Sequence, residues 1–360
     1  MTQKKFSSVL FLYHLVFILL AYQYANKFGS DANLYWLNSS YTTDKSWLDF
    51  AHYGTDTILF FNYPLVKLGL PFWFGFLVYG TIGFLGILKW IEWAEIVTEN
   101  RLRYGKINAV WCVALLPNLH FWTASLGKEA LIFWGLANVF YGIATKKFFT
   151  LATIMGMLLA VIIRPHVAFM LLVAVGMVFI FDKRIAFKRR AKYGFLLLIG
   201  TLGLVYMMLQ LSGIKIWNWS RINYFNEYSI LSFKNSGSYV PMLDYNYGYK
   251  LFSFNFRPLF FDTATILGYG ASLENALFLL TVIGTLYYVI KQYNKIQWPQ
   301  WSKIALAFSI ITSMIYIERY ANLGIFMRTK MMYQPFLWIA VLFIISQAIE
   351  ISKQKTNAET

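Results

Sequence analysis

Three short stretches of the chain place cations and polar side chains within otherwise apolar sequence. They are residues 116–132 (LPNLHFWTASLGKEALI), the tripeptide Arg164-Pro165-His166, and residues 318–330 (ERYANLGIFMRTK). Ionisable side chains at membrane depth are rare, and they usually face a cavity or a charged partner. Because each stretch adjoins apolar runs, the sequence predicts a membrane-embedded functional site built from them.

The first stretch has features that suit an anion. Lys128 stands near the start of a predicted helix, for which Thr123 or Ser125 is a plausible N-cap. The backbone N–H groups and the dipole at such a helix end attract anions. His120 is a further candidate ligand in the same stretch. The alternative interpretation is that Lys128 and Glu129 only mark the edge of the membrane.

The arginines indicate the same chemistry. The predicted topology places Lys128, Arg164, Arg319 and Arg328 on one side of the membrane, and Arg257 can join them. Guanidinium groups bind phosphate oxygens through two parallel hydrogen bonds. We therefore expect a phosphate or pyrophosphate site. A phosphate that carries an isoprenoid tail would also need apolar walls, which this chain has in excess.

A general base would complete a site for glycosyl transfer. Asp31 follows the first apolar run on the predicted outer side, where its carboxylate could take the proton of a sugar hydroxyl. The competing candidates are Asp44, Asp49, Asp56, His120 and His166. By default, each of these three aspartates is a solvated surface group. No phosphate loop, dinucleotide fingerprint or nucleophilic triad order is present, and the histidines lack metal-ligand spacing. We expect neither a metal nor an organic cofactor.

The composition is typical of a polytopic membrane protein. Of the 360 residues, 58% are hydrophobic and 13% are charged, and the mean hydropathy is +0.51. A membrane helix needs about 20 apolar residues. We predict an all-α fold in a single integral membrane domain over residues 1–360, with about ten transmembrane helices. They lie near residues 8–26, 72–91, 107–121, 129–145, 148–163, 167–181, 194–212, 272–290, 304–318 and 331–349.

The distribution of Lys and Arg sets the predicted orientation. The segments that would be inner hold most of the 32 Lys and Arg residues, including the basic loop 182–193, and a minority of the 16 acids. Both termini are therefore expected in the cytoplasm. The net charge of +16 indicates topology rather than nucleic-acid binding, because the basic run lies in a short loop between helices. Cys112, the single cysteine, is expected to be a buried thiol.

Two predicted outer segments are long. Residues 27–71 are too polar to span but contain aromatic residues that suggest an amphipathic helix on the membrane surface. Residues 213–271 are rich in Tyr and Trp, including Trp217, which form either an interfacial belt or platforms for sugar rings. The run 148–163 is short for a span, so Arg164 and His166 are expected inside a protein-lined funnel or beside locally thinned bilayer.

Several of these motifs resemble bacterial polysaccharide polymerases of the Wzy/EpsG type, which make O-antigen and exopolysaccharide, within the wider GT-C superfamily of membrane glycosyltransferases. The similar features are the LPNLHFWTASLGKEAL hairpin, the RPH turn and the NLGIFMRTKMMYQPFL entry to the last span. The DANLY motif that begins at Asp31 looks like the acidic motif that opens the first outer loop of GT-C enzymes.

The resemblance implies glycosidic-bond formation from polyprenyl-linked sugars at the outer face of a bacterial inner membrane, together with other polysaccharide-synthesis proteins. It would make Asp31 the base that activates the acceptor, and Arg164, Arg319 and Arg328 the groups that stabilise the departing lipid phosphate. GT-C enzymes usually pair the acid of the first outer loop with further acids. In this chain no single aspartate among Asp44, Asp49 and Asp56 can be matched to such a second acid, so catalysis could rely on arginines or a histidine instead. The competing hypotheses are a transporter or flippase of an anionic lipid-linked glycan, and a structural subunit of a synthesis complex.

Overall fold

The computed structural model describes residues 2–41, 45–214 and 218–359, apart from the side chains of residues 293, 352, 353 and 355–359. The protein is 78% helical, which confirms the all-α class. One antiparallel hairpin stands between helices, where β1 (Arg103–Tyr104) pairs with β2 (Ile107–Asn108). Its two-residue turn begins at Gly105, whose φ of 59° favours glycine.

The helices account for most of the described residues. In chain order they are α1 (Gln3–Phe28), α2 (Asp31–Trp36), α3 (Thr55–Lys67), α4 (Phe72–Thr98), α5 (Ala109–Ala114), α6 (Pro117–Thr123), α7 (Lys128–Thr145), α8 (Leu151–Ile163), α9 (Pro165–Phe181), α10 (Phe187–Leu211), α11 (Trp219–Leu231), α12 (Tyr247–Phe256), α13 (Ile266–Gln292), α14 (Gln300–Tyr316), α15 (Leu323–Lys330) and α16 (Gln334–Glu359).

The chain divides into two compact units, and each is described by itself. Unit 1 consists of Met1–Val97 and Ala114–Ala168, and unit 2 of Thr98–Val113 and Phe169–Thr360. Each unit thus combines segments that are separate in the sequence. The single membrane domain over residues 1–360 stays a prediction.

Five helices of the described chain are long and apolar enough to cross a membrane: α1, α4, α10, α13 and, over Gln334–Ile351, α16. Each overlaps one of the predicted apolar runs over most of its length, so a helical membrane protein is confirmed at this coarse level. The total of about ten spans stays a prediction, because the other runs form shorter helices. The 13 residues of α8 extend about 20 Å, less than the roughly 30 Å of a hydrocarbon core.

The predicted span 107–121 is not one continuous helix. α5 ends at Ala114 and α6 begins at Pro117, and the intervening Leu116 is extended, with φ −62° and ψ 128°. Proline lacks an N–H group and disfavours helical geometry in the residue before it.

The expectation of a buried Cys112 was wrong as well. Cys112 is exposed because the short α5 buries a different side, which carries Val110, Val113 and Ala114.

The two long segments predicted to be outer are mostly helical. Residues 27–71 hold α2, α3 and two short 3-10 helices, and α3 buries Ile58, Leu59 and Asn62 on one side. Residues 213–271 hold α11 and α12, whereas Trp217 lies outside the described residues. The location of both segments relative to a membrane stays a prediction.

Candidate functional site

The first two polar stretches meet within unit 1. Arg164, which follows α8, forms an ion pair with Glu129 in the first turn of α7. Only 8% and 4% of these two side chains are exposed. Removing two charges from water is costly. A buried pair is therefore stable only when the two opposite charges are in direct contact and hydrogen-bonded. The funnel expected around them, and phosphate binding by Arg164, stay predictions.

Lys128 lies beside this ion pair in sequence, as the first residue of α7. Its Nζ donates a hydrogen bond to Thr55 Oγ1, at 2.8 Å, and stands 5.9 Å from the centroid of the Tyr35 ring. Thr55 begins α3, so this contact joins the start of α7 to the start of α3. The predicted position of Lys128 at a helix N-terminus is therefore confirmed, whereas its binding of an anion stays a prediction.

The predicted N-cap of α7 was wrong. Neither Thr123 nor Ser125 caps this helix, because its N-cap is Gly127, which has no side chain to offer. α6 continues through Thr123, whose Oγ1 donates to the carbonyl oxygen of Leu119 at 2.6 Å. The hydroxyl that the sequence made available for capping is used inside the preceding helix.

His120 belongs to a buried pair of histidines in unit 1. Its Nδ1 lies 2.8 Å from Nδ1 of His14, its Nε2 lies 2.6 Å from the carbonyl oxygen of Ala114, and Nε2 of His14 lies 2.9 Å from that of Gly80. Each Nε2 must donate to its carbonyl, so the contact between the two Nδ1 atoms requires a third proton. The pair links α1 to α6 inside unit 1. Phosphate binding by His120 stays a prediction.

The candidate bases occupy separate positions in unit 1. Asp31 is the first residue of α2, which is capped by Ser30 and Asn33, and it is partly exposed. His166 is the second residue of α9 and is also partly exposed. Asp49 accepts hydrogen bonds from Ser46 and so has a capping role. Asp56 lies in the first turn of α3, and Asp44 lies outside the described residues. The catalytic roles of Asp31 and His166 stay predictions.

Arg257 in unit 2 already has an acidic partner. Its Nε donates to Asp262 Oδ2, at 3.1 Å, and its Nη2 donates to Oδ1, which is a bidentate arrangement. The hydrogen bond with Asp262 raises the pKa of Arg257. Asp262 also accepts from the backbone N–H of Leu259, at 2.7 Å, so the pair fixes the turn after α12. Phosphate binding by Arg257 stays a prediction.

Arg319 differs from Arg257 in its surroundings. The adjacent Glu318 pairs with Lys250 instead, at 3.0 Å. The guanidinium centre of Arg319 lies 4.2 Å from the ring centroid of Phe225 on α11, and burial lowers the pKa of Arg319. Its Nε is buried and has no hydrogen-bond partner among the described residues. Arg319 is thus a partly buried cation that stacks on an aromatic ring and has a donor without a partner among the described residues.

Backbone hydrogen bonds hold the segment after Arg319. Val240 N donates to Ala321 O at 2.9 Å, and Leu323 N donates to Ser238 O at 3.0 Å. Asn322 caps α15, whose last turn carries the half-buried Arg328. The aromatic-rich segment 213–271 is therefore attached directly to the segment that carries Arg319. Phosphate binding by Arg319 and Arg328 stays a prediction.

Lys330 is a buried cation whose importance the sequence alone did not reveal. Its side chain is inaccessible to solvent, and its Nζ lies 2.9 Å from Arg257 O and 2.8 Å from Asn275 Oδ1. Burial lowers the pKa of Lys330 to about 7, and the charge of Glu274 opposes this shift. Lys330 therefore joins the end of α12 to α13, and it holds the backbone of Arg257 in place.

Two pairs of tyrosines lie in the aromatic-rich segment. Tyr224 and Tyr228, one turn apart on α11, stack with ring centroids 6.3 Å apart, and both are well exposed. Tyr245 and Tyr249 meet edge to face at 4.5 Å beside Arg257. Rings with free faces can pack against sugars as well as against lipid headgroups, so both interpretations of the segment remain open.

Within residues 2–41, 45–214 and 218–359, no group of three His, Cys, Asp or Glu side chains is arranged to hold a metal ion. Comparison of the chain with protein-family models, with curated proteins and with solved structures gave no match.

Proposed function

We propose that the chain is a membrane glycosyltransferase or polysaccharide polymerase that forms glycosidic bonds from polyprenyl-(pyro)phosphate-linked sugars. In this proposal it acts in cell-surface polysaccharide synthesis at the outer face of a bacterial inner membrane. The observation that carries the proposal is the environment of Arg319, a partly buried guanidinium that stacks on Phe225 while the neighbouring Glu318 pairs with Lys250.

The surroundings of Arg319 favour an anionic ligand. A buried charge without a counter-ion is costly, and a bound anion offsets that cost. The ring of Phe225 lies against one face of the guanidinium, so an anion would approach its edge, where the N–H donors lie. Phosphate oxygens can accept two parallel hydrogen bonds from the edge of a guanidinium, an arrangement that a lysine ammonium does not offer.

The class of phosphate follows from the rest of the chain. Helices that are apolar enough to cross a membrane supply walls for an isoprenoid tail. The exposed, stacked rings of Tyr224 and Tyr228 lie on α11, the helix that also carries Phe225, and they supply faces on which sugar rings can pack. A phosphate that links a lipid tail to a sugar uses all three features.

The proposed reaction is a displacement at the anomeric carbon of the donor sugar. The acceptor hydroxyl forms the new C–O bond, a base takes its proton, and the bond from the anomeric carbon to the phosphate oxygen breaks. The resemblance implies Asp31 as this base, with His166 as the alternative, and both roles stay predictions from the sequence. Arg319 stabilises the negative charge on the departing lipid phosphate. Arg328 and Arg257 remain candidates for further phosphate contacts in unit 2, and the phosphate contacts expected from the sequence for Arg164, Lys128 and His120 stay predictions.

The role of Arg319 can be tested in a deletion host, a bacterial strain that lacks the gene for this protein. Variants are expressed in this strain, and its surface glycan is resolved as a ladder on a gel. Arg319→Ala should remove the ladder, and Arg319→Lys should reduce it strongly, since lysine keeps the charge but loses the fork and the ring contact. Losing such a contact to a developing charge typically costs on the order of 10²-fold in rate. Arg221→Ala is the matched control, because Arg221 is exposed on α11. An unchanged ladder in Arg319→Ala, at normal protein level in the membrane, would contradict the proposal.

A further inference from the structure

Unit 2 contains a cavity that lies apart from Arg319, between the end of α9 and the start of α14. Its volume is about 240 Å³. Met177, Phe181 and Ala307 belong to its apolar lining, whereas Asp182, Gln300 and Lys303 form a polar edge at one end. A cavity that is apolar along its length and polar at its edge suits an amphipathic ligand.

The polar edge is ordered by hydrogen bonds. Gln300 Nε2 donates to one oxygen of Asp182 at 2.7 Å, and Arg184 Nε donates to the other at 3.1 Å. The backbone N–H of Arg184 and the amide of Gln300 together lower the pKa of Asp182 to about 2. The carboxylate is therefore charged and already provided with donors. Lys303, by contrast, is exposed at the edge of the cavity.

The edge of the cavity adjoins a strongly basic segment. Residues 182–192 contain six cations and one acid, and the cations Lys183, Arg184, Lys188, Arg189 and Lys192 are exposed. The last three of these lie on the first turns of α10, one of the five candidate membrane helices. In its most apolar window only 6% of α10 is buried within the protein. The basic segment thus adjoins a candidate membrane helix whose apolar side chains are mostly left uncovered by the protein, and such segments attract anionic headgroups.

We propose that this cavity binds an anionic phospholipid, with an acyl chain along Met177, Phe181 and Ala307 and the headgroup phosphate at Lys303. The charges favour this occupant over a zwitterionic lipid, because Lys183, Arg184 and Lys303 outnumber Asp182. Basic pockets between membrane helices commonly take such headgroups. This site is independent of the proposed glycosyl transfer, since it uses none of the residues assigned to that reaction.

The test compares two lipids with the same acyl chains, phosphatidylglycerol and phosphatidylcholine, added to the purified full-length protein in detergent. We expect phosphatidylglycerol to raise the thermal midpoint more than phosphatidylcholine does, because a ligand of the folded state stabilises it. Lys303→Gln removes the phosphate contact, and Ala307→Phe fills the apolar cavity. Each should lose at least half of the increase that is specific to phosphatidylglycerol. Lys147→Gln, at an exposed lysine between α7 and α8, should keep all of it.

Three results would overturn the proposal. The first is an equal effect of the two lipids on the wild-type protein. The second is full retention of the phosphatidylglycerol-specific increase by either Lys303→Gln or Ala307→Phe. The third is a combination of two results: the Lys188→Gln, Arg189→Gln double variant loses the phosphatidylglycerol-specific increase, and Ala307→Phe keeps it. This combination shows that the lipid binds to the basic surface alone. If Ala307→Phe is not monodisperse, Ala307→Val is measured in its place against the same criterion.

Discussion

Arg164 and Glu129 neutralise each other inside unit 1, which makes each of them sensitive to loss of the other. Glu129→Gln should leave the guanidinium without its carboxylate and lower the stability of the protein by roughly 3–5 kcal/mol. Arg164→Met should have a similar effect. The double variant should recover most of the loss, because no charge is then buried without a partner. Thermal midpoints of the four purified proteins form the double-mutant cycle that measures this.

The same cycle separates packing from ligand binding. If Arg164 also contacts the lipid phosphate, the double variant should fold normally and still fail to produce a glycan ladder. A double variant that folds and supports the wild-type ladder would assign Arg164 a structural role only. Single variants as stable as the wild-type protein would contradict the ion pair itself.

Lys330 should make stability depend on pH in a specific direction. Its pKa is about 7 in the folded protein, whereas an unfolded lysine has a pKa of about 10.4. Between these values the unfolded chain binds more protons, so the free energy of unfolding should rise with pH from about 7 to about 10, by at most about 1.4 kcal/mol per pH unit. The thermal midpoint of the wild-type protein minus that of Lys330→Met should therefore increase over this range. A difference that stays constant or falls would refute the assignment.

Sequence reasoning located these cations but not their partners. Arg164, Lys128 and Arg319 stand out because a charge within apolar sequence is unusual and costly. Whether such a charge is neutralised depends on side chains brought in from other elements. Glu129 and Asp262 neutralise two of the arginines, whereas Arg319 meets the ring of Phe225. Nothing in the spacing of the residues distinguished these cases, and nothing marked His14 as the partner of His120.

At the scale of elements, α7 and α8 show a close approach that depends on glycine. A Cβ atom on Gly156 would lie 2.6 Å from the carbonyl oxygen of Gly135, and one on Gly135 would lie 2.8 Å from that of Gly156. Both obstacles are backbone atoms, which cannot rotate away. Small residues allow membrane helices to pack at such short distances. This pair therefore sets the separation between the two helices.

Gly156→Ala and Gly203→Ala should have opposite effects on stability. Alanine favours a helix over glycine by about 1 kcal/mol, and nothing lies within 4 Å of a Cβ placed on Gly203 in α10. Gly203→Ala should therefore keep or raise the thermal midpoint. Gly156→Ala should lower it, because overpacking costs typically 1–3 kcal/mol. Equal midpoints for the two variants would contradict the packing of α7 against α8.

The elements themselves were predictable where one physical rule dominates. Long apolar runs gave α1, α4, α10, α13 and α16, because the hydrophobic requirement of a membrane helix is strong. Pro117 interrupts the run 107–121, and its effect on the preceding residue was underestimated. The N-cap of α7 was missed for a different reason. A threonine hydroxyl can bond within its own helix as readily as it can cap the next one.

At the scale of the whole molecule, composition indicated the class of protein but not its division. High hydropathy and low charge predict a helical membrane protein, and the five long apolar helices agree with that prediction. The two compact units were not anticipated. Unit 1 takes in Ala114–Ala168 and omits Thr98–Val113, so its limits depend on contacts between distant segments rather than on a linker with a recognisable composition.

The most direct test of the central claim is an assay for new glycosidic bonds in detergent solution. Lipid-linked oligosaccharide extracted from the deletion host serves as the substrate, and the solubilised wild-type protein is compared with the Arg319→Ala and Arg221→Ala variants. A transferase needs no sealed compartment, so we expect the wild-type protein and Arg221→Ala to lengthen the glycan and Arg319→Ala to fail. If the folded wild-type protein forms no bond in solution, yet moves the same labelled lipid across proteoliposome membranes, the protein is a transporter and the proposed function is wrong.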